Sequence, residues 1–210
     1  MVQVRTALLF LTTLLKHYNL LLVMSNTRKR GGFVILNNMI TKQEYIDGIC
    51  FELNVIKHLA AKLTPENFEF RPTPKQRSTH ELMKFMCTIF GAAVQATKEA
   101  DSAAAEGWNP AIPEQWNASL PEVTVENFSE LIDKEADYIQ KTVDGMTEEE
   151  LNTPVVIYGR KQTRAMHLLN GPFKWAPAYK MQLFMYLKLT GQTHLNTMNL
   201  WAGMDPIPKE

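Results

Sequence analysis

Ser78-Thr-His-Glu81, followed by Leu82-Met-Lys-Phe85-Met86-Cys-Thr-Ile89-Phe90-Gly-Ala-Ala93, is the stretch whose reading decides the fold. Its first four residues form a capping box. The serine hydroxyl accepts from the third helical amide, and the glutamate carboxylate accepts from the cap's own amide. Behind it, Leu82, Phe85, Met86, Ile89, Phe90 and Ala93 recur at three- and four-residue steps. A start signal that opens onto helical periodicity predicts an amphipathic helix. Thr41-Lys-Gln-Glu44 and Thr147-Glu-Glu-Glu150 carry the same signal. After Thr41 the residues Ile46, Ile49, Leu53, Ile56, Ala60 and Leu63 make one stripe, closed by Pro65.

Working outward, four helices are expected. The first runs from Thr41 to about Leu63 and the second from Ser78 to about Lys98. The third is capped by Thr124 and turns Phe128, Leu131, Ile132, Ile139, Val143 and Met146 inward, and Thr147 starts only a short extra turn. The fourth covers about 163–190 and stops at Gly191, a natural residue just past a helix end. Between the second and third lies a connection of about 100–123, with Trp108, Trp116 and three prolines, long enough to carry the chain across a bundle. Val155-Val-Ile-Tyr158 suggests a short extended segment without an evident partner strand. The expected class is all-α, a four-helix bundle with one long crossover connection.

The 210 residues are 45% hydrophobic and 21% charged, the composition of an ordinary globular chain. Lys plus Arg and Asp plus Glu both total 22, so no net charge is available to draw the chain to nucleic acid or an anionic membrane. Two cysteines, Cys50 and Cys87, are too few for a disulfide scaffold, and a reducing cytoplasm is the expected setting. Residues 1–38 read as an appendage, a mis-assigned start or a poorly ordered extension, with 39–210 as the domain. Their apolar runs are too short for a membrane span.

Chemistry is harder to find. His58 falls nearly opposite the apolar face of the first helix, and His80 lies at the start of the second, away from its stripe. The phase of His167 is uncertain, His17 lies in the appendage and His194 in a loop. No pair has the HxxxH spacing that puts two imidazoles on one helical face. The GxxxxGK[ST] framework is absent, and no cofactor is expected. Glu81 is explained by its cap. Glu135 is not, since it sits near the centre of the third helix's apolar stripe, where a carboxylate must be paired or protonated. The fourth helix is apolar almost all round from Met181 to Leu189, which suggests a homodimer formed through it.

Three stretches together resemble the DinB/YfiT-like superfamily of four-helix bundles, which includes metalloenzymes and thiol-dependent transferases. They are Leu63-Thr-Pro-Glu-Asn-Phe-Glu-Phe-Arg-Pro72, Arg77-Ser-Thr-His-Glu-Leu-Met-Lys-Phe-Met86, and Tyr179-Lys-Met-Gln-Leu183 with Tyr186-Leu-Lys-Leu-Thr-Gly191. The resemblance implies a metal site of one histidine on the second helix and two on the fourth. Those positions are Phe85, Trp175 and Tyr179 here. Neither a phenyl nor an indole ring offers zinc a lone pair, and a neutral phenol is a poor ligand. The expectation is a bundle without a metal site that binds a small apolar or aromatic ligand among Phe85, Trp175, Tyr179, Gln182 and Glu135. The alternatives are a metal-dependent hydrolase or thiol S-transferase with ligands relocated to Glu135, His80 or His167, and a homodimeric interaction module with no ligand.

Overall fold

A computed structural model describes residues 40–206, so the extension assigned to 1–38 lies outside the described residues. Four long helices form the bundle: α1 (Lys42–Ala60), α3 (Thr79–Glu99), α5 (Val125–Asp144) and α8 (Lys174–Leu189). All three expected capping boxes close, with the glutamate accepting from the cap amide at 2.8 Å on Thr41, 2.9 Å on Ser78 and 2.7 Å on Thr147. Gly191 has a φ of +103°, which only a residue without Cβ adopts freely, and it ends the last helix as expected.

Side-chain contacts give the direction of each helix. His80 meets Val123 and Gly91 meets Glu135, so residue numbers rise together and α3 runs parallel to α5. Tyr45 meets Phe173 and Glu52 meets Lys180, so α1 runs parallel to α8. Lys42 reaches Asp144 while Lys57 reaches Asp133, which makes α1 and α5 antiparallel. Arg77 meets Tyr186 and Phe85 meets Tyr179, which does the same for α3 and α8. The bundle is therefore up-down-down-up, with α1 and α3 each packed on α5 and α8. The long connection carries the chain back so that two parallel helices can lie side by side.

Short elements fill the links. Pro65 is the first residue of a helical turn, α2 (Pro65–Phe68), and does more than close α1. The connection holds α4 (Ala111–Ser119), whose Ile112 packs on Ala92 and Ala96 of α3. Cys87, expected beyond the stripe, is buried in the main core and not under this second face. After α6 (Glu148–Asn152) comes a hairpin of β1 (Pro154–Ile157) and β2 (Arg160–Thr163), in antiparallel register from Pro154 opposite Thr163 to Ile157 opposite Arg160. The second strand escaped the sequence reading because Arg160-Lys-Gln-Thr163 has no apolar member to alternate. The fourth helix is also not continuous. It is α7 (Arg164–Leu168), a π-type turn over Leu169–Phe173, then α8. Gly171 leaves helical backbone there, at φ −106° and ψ −108°, and Pro172 has no amide to donate.

His58 is not solvated opposite the core. The final turn, Met198–Ala202, covers that face of α1, and the Asn199 amide donates to His58 Nε2 at 3.2 Å. The same turn lies over a buried ion pair. Lys180 is fully buried, with Nζ 2.6 Å from Glu52 Oε2 and 4.7 Å from the centre of the Trp201 ring. Glu52→Ala leaves that ammonium with only an indole face. Breaking such a pair costs about 3–5 kcal/mol. Urea unfolding should show a loss of about that size, largely regained in Glu52→Leu/Lys180→Met. A single-variant loss below about 0.5 kcal/mol, the ordinary scatter for surface changes, would contradict the pair's structural role.

Candidate functional site

The turn of the hairpin is Tyr158-Gly159, both at positive φ, 53° and 68°. A two-residue hairpin turn of this hand matches strand twist, but it strains any residue with a Cβ at the first position. A carboxylate from the long connection holds it there. Glu106 accepts the amides of Tyr158 at 3.1 Å, Gly159 at 3.0 Å and Trp108 at 2.9 Å. These amides, that of Trp108 foremost, hold its pKa below the usual carboxylate range. The Gly107 amide donates to the Val156 carbonyl at 2.6 Å, and the Trp108 and Tyr158 rings lie 4.8 Å apart. The connection and the hairpin therefore make one wall.

Behind that wall is a cavity of about 340 Å³, within the range of small-ligand sites. Trp108 and Tyr158 border it on one side, Trp175 and the Gly171-Pro172 break on another, and α3 closes it through Ala93 and Thr97. Arg160, Gln162, His167 and Asn170 supply its polar groups. His167 is buried and its Nε2 donates to the Val155 carbonyl at 3.2 Å, which leaves Nδ1 as an acceptor when the ring is neutral. Asn170 Nδ2 donates to Gln162 Oε1 at 3.3 Å, which leaves the Gln162 amide group with donors to spare.

The residues expected to line a site do not all meet. Trp175 lines the cavity. One turn further along α8, Tyr179 packs edge-on to Phe85 at 5.1 Å and lies 6.4 Å from Phe90. Gln182 Nε2 donates to the Tyr186 hydroxyl at 2.6 Å, and that hydroxyl donates to the Arg77 carbonyl at 3.0 Å, so Gln182 ties α8 to the start of α3. The Arg77 guanidinium stands 4.0 Å over the Phe85 ring. Phe85, Trp175 and Tyr179 do not fit a divalent metal, since they present no carboxylate, thiolate or imidazole and a guanidinium already sits over Phe85. The relocated set does not converge either. His80 donates to the Val123 carbonyl at 2.9 Å and stacks on Phe68, and among the described residues no three His, Cys, Asp or Glu side chains group as a metal site.

Glu135 lies elsewhere, against the backbone of α3, and is 1% exposed. Its Oε2 accepts the Gly91 amide at 2.7 Å, and Oε1 has no hydrogen-bond partner among the described residues. Among the described residues no Lys, Arg or tyrosine hydroxyl pairs with it. Gly91 is required here. A Cβ on it would come 2.3 Å from the Trp116 ring and 3.0 Å from Glu135 Oε1. Trp116 fills the gap and donates from Nε1 to Gln95 Oε1 at 2.7 Å. Glu81, by contrast, is held at about 2 by Arg71, which grips it twice at 2.8 Å, and by its cap.

The sequence reading missed Tyr158, Arg160, Gln162 and Asn170, and saw Trp108 only as part of a connection. The available signals were the Tyr-Gly pair as a turn and the acid two residues before Trp108.

Burial pushes the Glu135 pKa from 4.5 up to about 8, against the pull of the Gly91 and Phe90 amides. The folded chain then keeps a proton that the unfolded chain releases. Stability from this group is complete below about pH 4.5 and declines as pH rises toward 8. Thermal melts of Glu135→Gln should lose that part of the pH dependence. Parallel pH profiles for variant and parent would show that Glu135 ionises normally.

No sequence model of a protein family matches the chain, and no curated protein matches it. Solved structures do. A DinB-like protein of Bacillus subtilis, YjoA, superposes with a TM-score of 0.56 at 22% identity, covering 73% of this chain and 96% of that one. A protein described as a candidate DinB-family member from Exiguobacterium sibiricum gives 0.58 at 18% identity, over 75% and 96%. A DinB-like protein of Bacillus cereus gives 0.54 at 12%, over 71% and 92%. The chain shares its fold with DinB-like proteins, as the resemblance carried by residues 63–72, 77–86 and 179–191 led one to expect.

Proposed function

We propose that the protein binds a small, planar, largely apolar molecule, and that it does so without a catalytic metal. The observation that carries this reading is the cavity walled by Trp108, Tyr158 and Trp175. Aromatic walls with a few convergent polar groups are the usual make-up of small-molecule sites. The strained Tyr158 backbone supports it, because strain of this kind collects where a ligand is gripped. A hydrolase or transferase with relocated ligands is a weaker reading. His80, His167 and Glu135 are each engaged with a different backbone group, the Val123 carbonyl, the Val155 carbonyl and the Gly91 amide. Neither free thiol offers a nucleophile, since burial raises the pKa of both Cys50 and Cys87. Two free thiols also suit a reducing cytoplasm.

Saturation-transfer NMR with 2-naphthol should detect one-to-one binding to the wild type. An aromatic contact is worth about 1 kcal/mol, so Trp175→Ala should weaken binding about fivefold or more. An unresponsive wild type, or a variant that binds as well, would count against the cavity.

A second reading concerns assembly, and an exposed stripe supports it. Met181, Met185 and Leu189, one helical turn apart, are 36%, 45% and 60% exposed, beside Trp201 at 54%. Their most economical cover is the same stripe on a second copy, since a neutral chain does not repel itself. No helix among the described residues is long and apolar enough to cross a membrane. Light scattering at micromolar concentration should report a dimer that Met185→Glu dissociates, and a clean wild-type monomer would refute it.

A further inference from the structure

The charge of the cavity narrows the ligand further. Of the residues that line it, Arg160 alone carries a full charge, and none of those described carries a carboxylate. The nearest acid in the wall is Glu106, and both of its oxygens already accept backbone amides, Oε1 from Trp108 and Tyr158 and Oε2 from Gly159. Arg160 forms no ion pair among the described residues, as is true of Arg77 and Arg164, but of these three it alone lines the cavity. Its position is fixed by the turn. It is the first residue of β2, directly after the strained Tyr158-Gly159 pair and opposite Ile157. A guanidinium presents paired donors in a plane that fits a carboxylate or a similar small anion.

The neutral groups favour the same kind of ligand. The Gln162 side-chain nitrogen is a donor not used by its bond to Asn170. The rings of Trp108, Tyr158 and Trp175 supply faces for a flat hydrocarbon part. A molecule that is apolar all over would use the rings but leave the exposed guanidinium to water, gaining nothing from it. A molecule with an anionic end meets both demands.

Resting on the small-ligand reading above, we infer that the cavity takes a planar aromatic anion, its ring against Trp108, Tyr158 and Trp175 and its anionic group on Arg160. The test compares two probes of one shape, 2-naphthoate and 2-naphthalenemethanol, by isothermal titration at low ionic strength. A charge-assisted contact should give the wild type a preference for naphthoate of about tenfold or more. Arg160→Met should bring the two affinities together, and Arg160→Lys should keep part of the preference. Arg160 is exposed on a short strand, so both variants should fold, which circular dichroism checks. If the wild type binds both probes equally, the charge assignment is wrong and the aromatic cavity stands. If naphthoate is preferred but Arg160→Met leaves the preference intact, the anion sits elsewhere. If neither probe binds, both this inference and the small-ligand reading fall.

Discussion

Two neighbouring helices that point the same way cannot be joined by a tight turn, and this constraint shapes the molecule. The α3 helix has 21 residues and rises by about 1.5 Å per residue, so the chain leaving its end must travel back about 30 Å before α5 can begin beside it. Residues 100–123 make that journey along the outer face of α3. They are not slack. Trp116 fills the space that Gly91 leaves, Ile112 covers Ala92 and Ala96, and Glu106 fastens the hairpin turn. A connection required by topology thereby becomes one wall of a cavity.

The opposite wall comes from a broken helix. Continuous helical geometry from Thr163 to Leu189 would need a backbone donor where Pro172 stands and a regular φ/ψ at Gly171, and the chain supplies neither. The resulting π-type turn lets α7 and α8 part enough for His167, Asn170 and Trp175 to border the same space. One turn on, Tyr179 and Phe85 close edge to face as half-buried rings, and the cavity ends there. Phe85, Trp175 and Tyr179 therefore have two fates: Trp175 faces a cavity, while Phe85 and Tyr179 pack on each other.

Much of the bundle was legible in the sequence because helix starts are encoded locally. A hydroxyl and a glutamate three residues apart announce a terminus whatever the rest of the chain does. The stripes behind Thr41 and Thr124 point inward as read, whereas behind Ser78 Phe85 and Ile89 are only half-buried and Met83 and Cys87 are buried as well. Glu135 was also legible, since a carboxylate within an apolar stripe has nowhere to go but the core. The hairpin was not, because Arg160-Lys-Gln-Thr163 is held by register and by Glu106 from far along the chain, neither of which leaves a local pattern. The cavity shared that obscurity, as its residues come from four separate segments. The Lys180–Glu52 pair was hidden for a similar reason: a lysine in a helix reads as solvated until its partner is known.

The four tryptophans separate this account from its rivals, because two border the cavity and two do not. Fluorotryptophan-labelled protein, with each resonance assigned by single substitution, should show the Trp108 and Trp175 ¹⁹F signals moving together on titration with a planar aromatic ligand while Trp116 and Trp201 stay still. A titration that moves Trp201 alone, or none of the four, would contradict a ligand site between the hairpin and the broken helix.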